Sequence, residues 1–182
     1  MSSVIKVNEE IYLSAFSKAD IPAIVEAMED PEISKNTLRI PFPYEEQYAV
    51  DWINSISLRE AEFGLTSIYA IRNRDGKAIG SIGRHFVHGK NAHQDEIGYW
   101  LNKTYRGKGI MSSSIMAFSN YWFDHGLVRM FATVFPFNPA SSGALLKAGF
   151  EKEGYLRKNC LKNGRFIDTI LYAKIKDENS NE

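Results

Sequence analysis

Apolar residues recur along the chain in two spacings, and these predict strands alternating with helices. Alternating or continuously apolar runs predict strands over Ile11–Phe16, Ser67–Arg72, Ala78–Phe86, Asp95–Leu101, Val128–Phe135, Phe150–Leu156 and Phe166–Ile175. Helical spacing and cap residues predict helices from Pro22 to about Met28, around Tyr48–Ile56, over Ile110–Phe123 and over Pro139–Ala148. The order is strand, two helices, three strands, helix, strand, helix, two strands.

Turn residues set the predicted boundaries. Asp30-Pro31 is expected to stop the first helix, and the two prolines within Leu38–Tyr44 indicate an extended or looped segment. Asp75-Gly76 predicts a tight hairpin, whereas the last two strands are expected to be joined by a long connection. This mixed order predicts a single α/β domain over residues 1–176, followed by a polar, disordered tail over 177–182.

Composition excludes several function classes. The 182 residues carry 22 Lys plus Arg and 22 Asp plus Glu, so the whole chain has no net attraction to nucleic acid or anionic membranes. One cysteine, Cys160, permits no internal disulfide and fits a reducing compartment. The N-terminus lacks a signal-peptide pattern, and no apolar run approaches about 20 residues, so we expect a cytoplasmic protein that does not span a membrane.

The most informative segment is the glycine-rich turn Arg106-Gly107-Lys108-Gly109-Ile110-Met111, between a strand and a helix. Glycines let backbone N–H groups converge without a Cβ in the way, and the helix N-terminus adds unpaired N–H groups. Two cations flank the first glycine. The segment therefore predicts an anion site, most plausibly for a phosphate or pyrophosphate.

Three other interpretations of this turn compete with this one. It could be a tight turn whose cations are merely solvated. A Walker-type nucleotide loop fails because the chain has no matching motif. A dinucleotide fingerprint is weak because Ser112 occupies the third glycine position and no acidic residue follows the next strand.

The pattern Arg106-x-x-Gly109-x-Met111 resembles the [Q/R]-x-x-G-x-[G/A] signature of the GNAT superfamily of N-acetyltransferases, although Met111 replaces a small residue. Further segments are similar to the same family, and the last two of them resemble its Rim-type ribosomal-protein acetyltransferases: Glu96–Leu101, Asn138–Ser141, Leu145–Phe150, Gly154–Arg157 and Gly164–Asp168 with Tyr172.

The resemblance implies a fold and a co-substrate. The fold would be an α/β (α+β) GNAT-like domain with a mixed, mostly antiparallel sheet of about seven strands and about four helices. Acetyl-CoA would be the co-substrate, without a metal, and its acetyl group would pass directly to an amine in a ternary complex formed by a monomer or homodimer. The residues expected to bind the coenzyme are Trp100, Leu101, Arg106, Gly107, Lys108, Gly109, Ile110, Met111, Asn138 and Ser141.

Catalytic roles follow from the same resemblance and from strand alternation. Glu96 is the candidate base, on the strand expected beside the thioester; it could equally be a solvated carboxylate paired with Lys103. Asp95, on the opposite face, is the fallback. A backbone N–H near Trp100 or Leu101 is expected to stabilise the oxyanion.

The departing thiolate needs a proton. Many GNAT members carry a tyrosine where this chain has Leu145, so Ser141 is the candidate acid or the anchor of an ordered water. Ser141 could alternatively bond only the backbone of its helix, which Asn138 could cap. Tyr155 and Tyr172 are weaker candidates.

The acceptor is expected to be a primary amine, on a peptide N-terminus or a small molecule. Phe42 and Tyr44 could form an aromatic wall and Asp168 could attract the cationic amine, or these residues could only pack and pair with Arg165 or Arg157. His85, His88 and His93 could suggest a metal site, but no Cys or Asp cluster accompanies them, and His125 fits a helix C-terminus.

Two other function classes remain open at this stage. One is a coenzyme-binding regulatory module without catalysis. The other is a nucleic-acid-binding domain that uses Arg106, Lys108 and Arg129, against which the balanced charge argues.

Overall fold

A computed structural model describes residues 4–86, 89 and 91–177, which form one mixed sheet flanked by helices. The strands are β1 (Ile5–Lys6), β2 (Tyr12–Ala15), β3 (Ile68–Arg72), β4 (Ala78–Arg84), β5 (Gln94–Leu101), β6 (Arg129–Val134), β7 (Glu151–Lys162) and β8 (Arg165–Ile175). The helices are α1 (Ile21–Met28), α2 (Pro31–Asn36), α3 (Glu46–Phe63), α4 (Ile110–Asp124) and α5 (Pro139–Lys147). The predicted α/β class is confirmed; the tail beyond 177 lies outside the described residues.

The sheet has the order β1-β2-β3-β4-β5-β6-β8-β7. All neighbours are antiparallel except β5 and β6, which run parallel. The pairing of β5 with β6 covers Gln94–Glu96 and Arg129–Phe131, while β5 continues to Leu101 and β6 to Val134. The two strands therefore separate at their carboxyl ends, and we call this opening the β5–β6 gap.

The structure has one strand and one helix more than the sequence pattern indicated. The extra strand, β1, has only two residues, too few for an alternation to be seen. The extra helix, α2, begins where a stop was expected: α1 does end before Asp30-Pro31, but the Asp30 side chain accepts the Glu32 N–H and Pro31 occupies the first helical turn. The same two residues thus end one helix and begin the next.

The β3–β4 and β7–β8 hairpins end in tight turns. The β3–β4 turn contains Gly76 at φ 84°, as Asp75-Gly76 predicted. The expected long connection between the last two strands was wrong, because β7 runs to Lys162 and turns at Asn163-Gly164, where both residues have positive φ. Asn-Gly is itself a strong hairpin signal. A bulge hides it: Arg157–Asn159 lie opposite Asp168 alone, which interrupts the alternation.

Two apolar clusters pack on opposite faces of the sheet. One joins the sheet to α4 and α5 and includes Phe118, Trp122 and Leu145. The other joins it to α1, α2 and α3 and includes Trp100 from β5. Because successive strand residues point to opposite faces, Glu96, Gly98 and Trp100 share the second side. We call this side the acceptor face, because Tyr44, which is expected to line the acceptor site, packs there with Trp100.

Candidate active site

The segment Arg106–Met111, which we call the coenzyme loop, leads into α4 at the end of the β5–β6 gap. Gly107 and Gly109 have φ of 77° and 76°, and a Cβ built on either would meet no atom within 4 Å. Gly109 is the N-cap of α4 and offers no side chain to its first turn. A helix N-terminus leaves backbone N–H groups unpaired, and the open space beside both glycines leaves room for an anion there, so this segment fits the expected pyrophosphate site.

The two cations of the coenzyme loop have different environments. The Arg106 Nε donates to the Leu101 carbonyl at 3.0 Å, and its Nη2 lies 2.7 Å from Asp30 Oδ2. The Lys108 side chain is exposed, with its Nζ 5.6 Å from the centre of the Tyr105 ring. Arg106 therefore holds the loop against β5 and the α1–α2 junction, while the Lys108 charge remains at the surface beside the glycines.

Hydrogen bonds of β5 fix the direction of its peptide groups. The His85 N–H donates to the Glu96 carbonyl, and the Asn102 N–H donates to the Ile79 carbonyl. Alternation along an antiparallel pair then directs the even-numbered peptide groups of β5 toward β4, including that of Trp100. The N–H of Leu101 is directed toward the β5–β6 gap. Of the two residues expected near the oxyanion, Leu101 has the backbone orientation for it, and Trp100 packs against α1 to α3.

Glu96 lies at the closed end of the gap, on the acceptor face. Its Oε1 accepts the Thr133 hydroxyl at 2.8 Å, and its Oε2 lies 3.6 Å from His85 Nδ1. The expected alternative partner, Lys103, is exposed on the other side of Asn102. Burial raises the pKa of Glu96, but the neighbouring His85 and Thr133 side chains outweigh it, so the pKa lies below its usual value. The carboxylate is therefore charged at neutral pH.

Asp95, the fallback base, is placed differently. Its side chain is fully buried and forms an ion pair with Arg84, at 2.8 Å from Oδ2 to Nε. The same carboxylate accepts the N–H groups of Phe86 and Glu96. A buried carboxylate with an ionic partner and two backbone donors serves the fold, because removing its charge would leave Arg84 unpaired.

Tyr99 and Ser141 meet on the opposite face of β5 from Glu96. The Tyr99 hydroxyl lies 2.8 Å from Ser141 Oγ. Burial raises the pKa of Tyr99 above its ordinary value, so the phenol keeps its proton. Asn138 caps α5 by accepting the Ser141 N–H at 3.2 Å, as expected. Sequence reasoning named Ser141 but missed Tyr99, whose partner lies 42 residues away along the chain.

The residues proposed to line the acceptor site separate into two groups. Tyr44 packs in the cluster that contains Trp100, and burial raises its pKa to about 12. Phe42 is half-exposed, in the loop before α3. Asp168 accepts the Tyr155 hydroxyl at 3.0 Å and the Lys158 N–H at 2.7 Å, at the β7 bulge. Register places it on the opposite face of β8 from Leu171 and Thr133, so the structure does not bring Asp168 together with Glu96.

The β7–β8 hairpin is tied to α2 across the acceptor face. Lys162 Nζ donates to the Ser34 carbonyl and to the Thr37 carbonyl, the latter at 2.5 Å. These carbonyls belong to the last turn of α2 and its C-cap, where a cation is favourable. Burial lowers the pKa of Lys162. The contact makes the hairpin tip and α2 neighbouring walls of one site.

The other described residues singled out from the sequence lie outside the β5–β6 gap or in the core. No group of three or more His, Cys, Asp or Glu side chains suited to a metal ion occurs within residues 4–86, 89 and 91–177, and His88 lies outside them. His125 ends α4, with Nδ1 2.6 Å from the Tyr121 carbonyl. Leu145 and Tyr172 are buried in the core, and Arg129 forms two contacts with Glu153. Among the helices described here, none is long and apolar enough to cross a membrane.

Comparison with known proteins connects this geometry to a family. Residues 10–151 match the family described as "Acetyltransferase (GNAT) domain". A Bacillus licheniformis relative, "Uncharacterized N-acetyltransferase p20", is 31% identical over 93% of this chain and 95% of its own length. A Bacillus subtilis relative, "Uncharacterized N-acetyltransferase YoaA", is 40% identical over 59% of this chain, and the match spans 62% of that relative.

The same fold is found among solved structures. The "Ribosomal L7/L12 alpha-N-protein acetyltransferase" RimL in complex with coenzyme A superposes with a TM-score of 0.82. It is 21% identical, and the alignment covers 96% of this chain and 99% of that one.

Proposed function

Because this chain belongs to the GNAT acetyltransferase family and is therefore an acetyl-CoA-dependent enzyme, we propose that its acceptor is a primary amine, which attacks the thioester directly while both substrates are bound. The acceptor would be a peptide N-terminus or a small-molecule amine. The observation that carries the proposal is the β5–β6 gap, which has the coenzyme loop at its open end and Glu96 at its closed end.

Binding of the coenzyme would rest on the backbone more than on side chains. The N–H groups around Gly107 and Gly109 and the first turn of α4 would hold the pyrophosphate, with Lys108 adding a charge nearby. Ile110 and Met111 begin α4 and are half-buried against the core, which fixes the direction of that first turn. The remaining length of the coenzyme would follow the gap toward Glu96.

Acetyl transfer then needs three groups around the carbonyl carbon. The Leu101 N–H would donate to the oxygen as negative charge develops on it. The negative charge of Glu96 would favour loss of the amine proton as the nitrogen attacks. The Tyr99–Ser141 pair, whose hydroxyl oxygens lie 2.8 Å apart, would donate a proton to the thiolate as the carbon–sulfur bond breaks.

The placement of the candidate residues on the two faces of β5 supports an acceptor that enters from the acceptor face. Glu96, Tyr44 and Trp100 lie on that side, whereas Tyr99 and Ser141 lie on the other. The amine would attack from one face of β5, and the group that protonates the thiolate would act from the other. This arrangement fits direct attack better than a mechanism in which a residue is acylated. The Rim-type neighbour is named for acetylation of a protein α-amine, and we extend that acceptor class to this chain as part of the proposal.

A thiol-release assay tests the function. Purified protein would be incubated with acetyl-CoA and a panel of short peptides, polyamines and amino acids, and free coenzyme A would be measured. At least one amine should release thiol well above the amine-free rate, and Glu96→Gln and Ser141→Ala should each lower that rate.

The result distinguishes the proposal from its alternatives. Acetyl-CoA binding by calorimetry without turnover on any amine would favour a regulatory module. Undiminished rates in both variants would remove Glu96 and Ser141 from the chemistry while leaving the coenzyme site in place.

A further inference from the structure

His85 lies directly opposite Glu96, on the β4 side of β5, and Glu96 is the residue at the closed end of the β5–β6 gap. It follows β4, and its N–H donates to the Glu96 carbonyl at 3.0 Å, so the two residues are cross-strand neighbours on the acceptor face. The His85 Nδ1 lies 3.6 Å from Glu96 Oε2, which is an ion-pair contact rather than a hydrogen bond. About half of the His85 side chain is exposed, against 23% of Glu96.

Gly98 fixes the direction of the imidazole. A Cβ built on Gly98 would lie 2.5 Å from His85 Nε2 and 2.8 Å from Cε1, so the ring occupies the space that any other residue would fill. The ring thus reaches from Glu96 along β5 toward Trp100. One nitrogen faces the carboxylate and the other lies over Gly98, two residues closer to the open end of the gap. The glycine here has an ordinary φ, and it is this close approach that requires it.

The geometry points to a further catalytic residue: His85 Nε2 accepts the proton of the attacking amine, and Glu96 holds the imidazole by its Nδ1–H and balances its positive charge. This inference rests on the proposed function and names the atom that receives the proton. As the amine nitrogen bonds to the carbonyl carbon, its N–H proton moves to Nε2, and the thiolate released on the other face takes a proton from the Tyr99–Ser141 pair.

Chemistry favours the imidazole over the carboxylate as the direct acceptor. A carboxylate whose pKa is depressed is a weak base toward an amine, whereas imidazole exchanges protons readily near neutral pH. Glu96 is in turn fixed by Thr133, so carboxylate and ring form an ordered pair. Such contacts are commonly longer before substrate binds and shorten in the complex.

Few other charged groups surround this pair in the described residues. Burial raises the pKa of the Cys160 thiol on β7, and the nearby Glu96 carboxylate raises it further. Arg84 and Asp95 form their own ion pair on the opposite face of the sheet. Within residues 4–86, 89 and 91–177, the ion-pair contact of His85 is with Glu96.

The experiment compares His85→Gln with His93→Gln, which changes an exposed histidine in the segment before β5. Both would be assayed by thiol release with the best amine of the panel and saturating acetyl-CoA. We expect His85→Gln to lower kcat/KM for the amine by about 100-fold, in the range of general-base catalysis. His93→Gln should stay within about twofold, and both should bind acetyl-CoA as wild type does.

Two readouts separate catalysis from structure. A neutral imidazole is required, so the acid limb of the wild-type kcat/KM profile should contain an ionisation that His85→Gln lacks. Added imidazole should restore part of the rate to His85→Ala. His85→Asn provides the same comparison if the other variants do not fold.

Three outcomes would overturn the inference. Wild-type turnover with an unimpaired His85→Gln variant would leave the enzyme established and His85 without a role. A loss of rate with an unchanged pH profile and no rescue would make His85 structural. Absence of turnover by the wild type on every amine would instead remove the proposed function on which the inference rests.

Discussion

The coenzyme loop and the acceptor face are built in different ways. The loop is a short continuous segment whose chemistry belongs to the backbone, and Gly107 and Gly109 allow that backbone to be open. The acceptor face collects side chains from β5, β6, β7 and the residue after β4, together with backbone carbonyls at the end of α2, and only folding brings them together. Substitutions in the loop should therefore impair binding through backbone strain, whereas substitutions on the acceptor face should act through the loss of individual side chains.

The largest expected effect comes from straining the loop. Gly109→Val places a β-branched residue at φ 76°, where such a residue is strained by roughly 1–3 kcal/mol, and puts methyl groups before the N–H groups of α4. We expect acetyl-CoA affinity to fall by at least about 100-fold, measured by calorimetry.

Gly126→Ala is the matched control for this change. Gly126 has φ 97° with open space around its Cα, and it lies at the other end of the same helix. It should lower the melting temperature while leaving acetyl-CoA affinity near the wild-type value. Equal losses of affinity in both variants would show that general destabilisation, and not the loop, governs binding.

A smaller effect should come from Tyr99, which contributes through its side chain. Tyr99→Phe removes the hydroxyl that lies 2.8 Å from Ser141, so thiolate release should slow and kcat should fall about 10- to 100-fold, with acetyl-CoA affinity nearly unchanged. Because the two hydroxyls act as one unit, adding Ser141→Ala should cost little more.

Tyr155→Phe serves as the comparison for Tyr99. Tyr155 also carries a bonded hydroxyl, but that hydroxyl donates to Asp168 at the exposed β7 bulge. Its kcat should stay within about twofold of wild type, and an equal loss in both variants would exclude Tyr99 as the specific proton donor.

The smallest effect is expected at the contact between the hairpin and α2. Lys162→Met keeps most of the side-chain length but cannot donate to the carbonyls of Ser34 and Thr37. With this tie removed, the KM of the amine should rise about threefold to tenfold while the Kd of acetyl-CoA stays unchanged, because the acceptor walls become less ordered. Lys158→Met, on the bulge of the same strand, should change neither constant.

The same contrast explains what the sequence could predict. The coenzyme loop, α4 and α5 could be predicted from glycines, cap residues and motifs of consecutive positions, because the signals for these features are local. The short β1 gave no alternation, Asp30-Pro31 ended one helix and began another, and the bulge at Arg157–Asn159 masked the Asn163-Gly164 turn.

Side chains that act through distant partners were the hardest to predict. His85 was considered only as a metal ligand, because its pairing with Glu96 depends on the β4–β5 register. A local signal of that contact was Gly98, because the His85 ring leaves no space for a side chain at that position. The motif assigned Arg106 to the coenzyme. It gave no sign of the hydrogen bond from Arg106 to the Leu101 carbonyl or of the salt bridge to Asp30.

The salt bridge between Arg106 and Asp30 joins the two regions compared above. One partner begins the coenzyme loop and the other caps α2, the helix that the hairpin contacts beside the acceptor. The salt bridge therefore connects the coenzyme loop with the helix beside the acceptor face. If binding of the amine changes acetyl-CoA affinity through this salt bridge, binding of acetyl-CoA changes amine affinity by the same factor.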